Sequence, residues 1–269
     1  MSVSRSAFYR WRSRVAKPAP RTKKRIDDIE RFARYHRKYP SHGYRWLNAK
    51  IRLDLGIVMS DQYAHRCCKA YGIRSQARKC RYKRPGEKGK AYPNLVLASI
   101  NVDGPLQVVV SDMTAFHAAG KYWELTLYMD LWCNEIISYS LSSKRGDRNT
   151  YFDGLQKVIE RKKEELDGLG MILHTDQGSV YSSKSFNELL PSYDITHSMS
   201  RAGTPTDNGA MEAINGWAKE ELFCDFGIRD CDDVPSLIEE YVAFFNEERP
   251  AAALGYLTPA EFKRKHGYR

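Results

Sequence analysis

The chain contains no run approaching the roughly 20 consecutive apolar residues that a membrane-crossing helix needs. Nor does it open with a basic stretch, an apolar core and a small-residue cleavage site, so a soluble protein of the cytoplasm, without a membrane partner, is expected. Cysteine is sparse. Six residues, Cys67, Cys68, Cys80, Cys133, Cys224 and Cys231, lack the dense, even spacing of a small secreted scaffold, and reduced thiols are expected. His36, His42, Cys67 and Cys68 repeat the ligand order of some zinc sites. Adjacent cysteines replace the gap that lets two sulfurs reach one tetrahedral ion, and zinc is not expected. Ser111 and Ser182 lack partnering His and Asp residues, which argues against a covalent serine recombinase.

Positive charge is plentiful and unevenly spread. Residues 1 to 92 carry 26 Lys and Arg against 6 Asp and Glu, a net of +20, whereas residues 93 to 269 carry 17 against 27, a net of −10; together they give the chain's +10. Such a basic segment attracts a polyanion by releasing its condensed counterions, and nucleic acid is the commonest such partner. An apolar content of 42% over 269 residues suffices for one large domain and a smaller one.

The pattern of apolar residues divides the chain. Ser4 precedes a short aromatic and basic helical turn that ends near Pro18 and Pro20. Helical spacing then predicts helices over 26–39, from after Gly43 to Gly56, and from Asp61 to Gly72. Arg45, Lys50 and Arg52 lie off the apolar stripe of the middle helix, and Arg45 and Lys50 are expected to contact DNA. Two compact helices joined by a Gly-containing turn suggest a small all-α, helix-turn-helix-like DNA-binding module over 1–73. A basic linker follows over 74–96, in which Arg78, Lys79, Arg81, Lys83 and Arg84 can lie along a phosphate backbone. Residues 97–269 read as three consecutive strands (106–114, 122–130, 135–141), a helix (149–166), a strand (171–174), a helix (183–190), a strand (194–197), and helices over 207–223, 234–246 and 259–265. That order describes an α/β domain with a mixed five-stranded sheet and flanking helices, the ribonuclease H-like arrangement.

Acids stranded in apolar elements are costly unless they bind something. Asp112 interrupts the apolar strand VVVSDMTAF. Asp176 follows the short strand MILHT, close to a glycine. Glu212 lies on the helix DNGAMEAINGWAKEELF, where Asn208, Glu212, Asn215 or Gly216, and Lys219 form one polar stripe. Three carboxylates meeting at the ends of two strands and on a helix suit hard divalent cations that act on a phosphodiester. Asp130 is read as a strand-end structural acid, His174 as a satisfied core histidine, and His117 as an ordinary strand-end residue. Trp217 and Met211 are expected to pack their helix on the sheet.

These residues resemble the integrase-core transposases of the insertion-sequence-three type, specifically the second-reading-frame product, over nearly the whole chain. VVVSDMTAF, HTDQGSVYSS and SMSRAGTPTDNGAMEAINGWAKEEL are similar to the segments carrying that family's three acids. The 35 residues between Asp176 and Glu212 match its D-D-35-E signature. FNEERPAAALGYLTPAEF resembles its C-terminal signature, with Ala251 where a His is usual, and SHGYRWLNAKIRLDLG and VSRSAFYRWRSR resemble its upstream helices. The resemblance implies a bacterial, nucleoid-associated DDE transposase that cleaves insertion-sequence ends and joins them to target DNA. Asp112, Asp176 and Glu212 would be its catalytic and metal-binding residues, for two Mg²⁺ ions or Mn²⁺ in their place. Lys219, Asn208 and Arg201 would position phosphates. Also implied are terminal inverted repeats and target DNA as partners, a homo-oligomer on paired ends, and an upstream reading-frame product or frameshift fusion that supplies a recognition module. The alternative is a non-catalytic DNA-binding relic or regulator of transposition.

Overall fold

The computed structural model describes residues 4–17, 19–77, 102–165, 169–200 and 209–268, with the backbone alone at Arg14 and 209–213. It divides into two compact units at the Ala77–Arg78 junction.

The first unit is all helical. Helix α1, Arg5–Ala16, is capped by Ser4, whose hydroxyl accepts from Ala7 N–H. Helix α2, Pro20–Lys38, starts six residues before the apolar pattern does. Pro20 sits at its first position, where a missing N–H costs nothing and a fixed φ suits the helix, so the proline initiates rather than stops it. Helix α3, Tyr44–Leu55, ends at Gly56 in the left-handed region, and helix α4, Asp61–Tyr71, is capped by Ser60. Helices α2, α3 and α4 pack on one another around Phe32, Leu47, Ile51, Ala64 and Cys67. Asp28 on α2 is buried, pairs with Arg31 and accepts from the Tyr63 hydroxyl of α4 at 3.0 Å. The expectation for Lys50 needs correction. It is 2% exposed, and its ammonium lies 2.9 Å from Asp54 Oδ1. Helix α3 contacts both α2 and α4, and the Lys50 stem is enclosed with its charge already paired. Arg45, by contrast, is exposed.

The second unit is built on five strands in the order β3-β2-β1-β4-β5. They are β1, Val108–Ala118; β2, Lys121–Asp130; β3, Ile136–Ser142; β4, Met171–Thr175; and β5, Ile195–Met199. The first three form an antiparallel meander, and β4 and β5 run parallel to β1. Because side chains alternate, Val109, Ser111 and Met113 share one face of β1, and Val108, Val110, Asp112, Thr114 and Phe116 share the other. Helix α5, Asn149–Glu165, and helix α6, Lys184–Leu189, cover the first face through Leu155, Val158, Ile159 and Phe186. Helix α5 sits close to β2 and β3. The Tyr128 hydroxyl donates to Tyr151 O at 2.6 Å, Ser138 Oγ to Gly154 O at 2.8 Å, and a Cβ at Gly154 would lie 2.5 Å from Tyr128 Cε2.

Helices α7, Gly209–Cys224; α8, Val234–Glu247; and α9, Pro259–Lys265 complete the unit. Glu221 on α7 is fully buried. It accepts from Arg249 Nε at 2.7 and 3.0 Å and from the Tyr241 hydroxyl at 2.8 Å, tying α7 to α8 and the turn after it. Asn246 pairs with the backbone of Ile136 at the start of β3, its Oδ1 accepting from the N–H at 2.9 Å and its Nδ2 donating to the carbonyl at 3.0 Å. Ala251 forms an isolated bridge with Leu257. Asp130 is the strand-end acid it was expected to be: buried at the end of β2, it accepts from Leu106 N–H at 3.0 Å and Trp132 N–H at 2.9 Å. Among the described residues, no helix is long and apolar enough to cross a membrane.

Candidate active site

Strands β1 and β4 bring the first two acids together. Their parallel register runs from Val108 opposite Ile172 to Ser111 opposite Thr175. The next step along both chains is Asp112 and Asp176. Residues opposite one another on parallel strands point to the same face, and neighbouring strands lie about 4.8 Å apart. Strand β4 stops at Thr175, while β1 continues to Ala118 paired with β2 alone. The two acids therefore stand where the sheet loses a strand, Asp112 part-way along β1 and Asp176 just past the carboxyl end of β4, where α/β sheets present ligands.

Each carboxylate is held by the protein. Asp112 Oδ1 accepts from Met113 N–H at 2.8 Å, and its Oδ2 accepts from Asn215 Nδ2 of α7 at 2.7 Å. Asp176 Oδ1 accepts from Gly178 N–H at 2.8 Å. A Cβ at residue 178 would come within 2.9 Å of that same oxygen, so a larger residue there would displace the Asp176 carboxylate. Burial, and then the charge of Asp176, push the Asp112 carboxyl up to about 6, against the Asn215 amide, the Met113 N–H and the Lys219 charge. Burial also raises Asp176, opposed by the Gly178 N–H. Such acids sit uneasily as anions without added positive charge.

The framework behind the pair is closed by hydrogen bonds. The Ser111 and Tyr181 hydroxyls, both buried, lie 2.7 Å apart and join the residue before Asp112 to the turn after Asp176. His174 fulfils its expectation as a satisfied core histidine: 1% exposed, it bonds Ser198 Oγ through Nδ1 at 2.9 Å and Ser200 Oγ through Nε2 at 3.1 Å. His197 lies beside it, its pKa lowered to about 4 by burial and by His174, with Nδ1 at 2.6 Å from Asn187 Oδ1. His117 is exposed at the end of β1, with its ring edge-on to Tyr122.

Helix α7 runs alongside β1. Asn215 meets Asp112, and Phe223 meets Phe116 edge-on at 6.4 Å. Four residues of strand span about 13 Å and eight of helix about 12 Å, so the two elements advance in step. Glu212 falls three residues before Asn215, on the same helix face and one turn nearer the start. Its side chain, like that of Met211, lies outside the described residues, as do Arg201 and Asn208 and, in the linker, Arg78, Lys79, Arg81, Lys83 and Arg84. Lys219, four residues beyond Asn215, is half-buried and close enough to lower the Asp112 pKa. Trp217 corrects another expectation. It is 42% exposed, because Asn215, Ala218 and Leu222 form the packed face and residue 217 falls roughly opposite. The Asn215 contact was the functional feature least visible in sequence. Its only signal was its place three residues after Glu212 in the polar stripe.

A mixed sheet in this order, with one acid part-way along β1, another just after β4 and a long helix beside them, defines a ribonuclease H-like polynucleotidyl transferase core. Two family models, each described as an integrase core domain, match residues 102–205 and 193–259 and so extend together over more than half of the chain. The putative transposase InsK of insertion sequence element IS150 from Escherichia coli is 27% identical over 267 residues, covering 98% of this chain and 90% of that protein. Transposase InsF of IS3A, also from Escherichia coli, is 24% identical over 271 residues, covering 99% and 92%. Among solved structures, a chain of the simian T-cell lymphotropic virus intasome in complex with PP2A regulatory subunit B56 gamma shares the fold, with a TM-score of 0.51 at 18% identity over 86% of this chain and 73% of that one. The chain belongs to the integrase-core family of insertion-sequence transposases, of the insertion-sequence-three type.

Proposed function

We propose that Asp112, Asp176 and Glu212 are the catalytic acids, and that they hold two divalent cations, Mg²⁺ or Mn²⁺, while the transposase cuts and joins DNA at the ends of its element. The observation that carries this reading is that the β1–β4 register ends one step before Asp112 and Asp176, close enough for the charge of Asp176 to raise the pKa of Asp112. The donor set fits the ions: two half-buried carboxylates offer hard oxygen, and each is destabilised as an anion until positive charge arrives. When bound, the cations would activate the attacking oxygen and neutralise charge at the phosphodiester. The chain's own residues supply the rest. Gly178 N–H and Asn215 Nδ2 orient the acids, and α7 carries Glu212 along β1 beside them. Lys219 brings a positive charge to the same side for a DNA phosphate. In the first step water attacks at the element end. The freed 3′-hydroxyl then displaces an oxygen of target DNA, with no covalent protein-DNA intermediate.

In the same reading, residues 1–73 and the basic linker 74–96 contact the terminal repeats through the exposed Arg45 and the linker cations Arg78, Lys79, Arg81, Lys83 and Arg84, and Arg201 and Asn208 steady the DNA at the catalytic core 97–269. The burial of Lys50 removes it from this set. Copies of the chain assemble on paired ends at the bacterial nucleoid, with an upstream-frame product or fusion aiding end recognition. Labelled end DNA, target DNA and Mg²⁺ test the reading. Joined product from the wild type, and none from Asp176→Asn, is the expected result. Binding without joined product, or joining that survives Asp176→Asn, would overturn it.

A further inference from the structure

Four buried side-chain polar atoms in the second unit lack a hydrogen-bond partner among the described residues: Trp123 Nε1, both amide atoms of Gln177, and Asn215 Oδ1. Three of the four therefore belong to residues that adjoin or touch the two acids. Asn215 is the more informative. It is 7% exposed, and its one side-chain bond among the described residues, 2.7 Å long, goes to Asp112 Oδ2. A carboxylate only accepts, so the atom facing it must be the amide nitrogen, and the unserved atom must be the carbonyl oxygen. Leaving such an acceptor buried and unpaired costs about 1–3 kcal/mol. Ala218 and Leu222, on the same face of α7, show what ordinary packing uses there. A leucine of similar size would fill the position without an orphan. The amide is worth its cost only if its single bond matters.

We infer that Asn215 is a positioning residue: from the helix that bears Glu212 it fixes the Asp112 carboxylate in the orientation that binds the cation. This inference rests on the metal-binding role proposed above for Asp112. A hydrogen bond to a ligating carboxylate commonly changes metal affinity by about 10- to 100-fold.

The test is Mn²⁺ binding to the full-length protein without DNA, followed by electron paramagnetic resonance, which needs no turnover. Asn215→Leu removes both polar atoms, and Asn215→Ser leaves a hydroxyl too short to reach Asp112, so that one variant serves if the other does not fold. Two controls share the scaffold. Gly216→Ala lies in open space on α7, and Gly154→Ala strains the distant contact of α5 with Tyr128 without touching the acids. The expected result is a Kd weaker by about 10-fold or more in either Asn215 variant, with both controls within about 2-fold of wild type. A folded Asn215 variant that binds Mn²⁺ like wild type overturns the inference, as does an equal loss in Gly154→Ala, which would make the effect one of general stability. The proposed function fails separately, and this inference with it, if Asp112→Asn binds Mn²⁺ as wild type does.

Discussion

The Asp112 carboxyl, held at about 6, makes the metal-free protein sensitive to pH in a definite direction. Its folded pKa lies above the usual 3.8, so the folded state binds more protons than the unfolded chain between those values, and stability falls as pH rises from about 4 to 7. A shift of about two units corresponds to roughly 2–3 kcal/mol. Asp112→Asn, which is never an anion, should therefore raise the stability of the metal-free protein at pH 7 by up to about that amount while abolishing strand transfer. Urea unfolding in chelator at pH 5 and pH 7 checks this, and equal stability of the two proteins at pH 7 would contradict it. Both strand-associated acids were legible in the sequence because they interrupt apolar strands. The glycine after Asp176 was legible only as a turn. Its N–H bond and the 2.9 Å clearance to the carboxylate depend on a fold that no local pattern encodes.

Among the elements, α5 and α7 show where pattern reading succeeds and where it stops. The apolar spacing of 149–166 announces α5 almost to the residue, yet not that Gly154 is the point of contact with Tyr128. Gly154→Ala gains about 1 kcal/mol of helix propensity. It also drives a methyl group to 2.5 Å from a buried ring, and overpacking of that kind costs about 1–3 kcal/mol. A net destabilisation of the order of 1 kcal/mol is expected, read as a lower urea midpoint with an unchanged slope. The polar stripe put Lys219 on the helix face of Asn215, and its charge reaches Asp112; Trp217 was misjudged, since indole hydrophobicity says nothing about which side of a helix meets the sheet. Pro20 misled in the same way: a proline ends one helix and begins another with equal ease, and only the chain around it decides. The role of Glu221 depends on Arg249 and Tyr241, 28 and 20 residues away, and such a cluster has no signature in spacing.

At the scale of the whole molecule, the basic excess in residues 1 to 92 spans the first compact unit and the opening segment of the second. Affinity for duplex DNA should therefore depend steeply on salt. Replacing Arg78, Lys79, Arg81, Lys83 and Arg84 by Gln in the full chain removes up to five phosphate contacts, and the slope of log K against log salt should fall by up to about 4.5. Fluorescence anisotropy across a salt series measures this; an unchanged slope would place the contacts elsewhere. The sequence foretold strand number and order of appearance. The expected sheet already put the strand ends bearing Asp112 and Asp176 side by side, but the register of β1 with β4, across β2, β3 and α5, had to come from three dimensions.

The side chain of Asn246 occupies both backbone hydrogen-bonding groups of Ile136 at the outermost strand of the sheet. An amide mimics the backbone of a neighbouring strand, and it denies that place to any other chain. In the assembly proposed above, copies gathered on DNA would be kept from zipping together edge to edge, because here the first rung of the ladder is already taken.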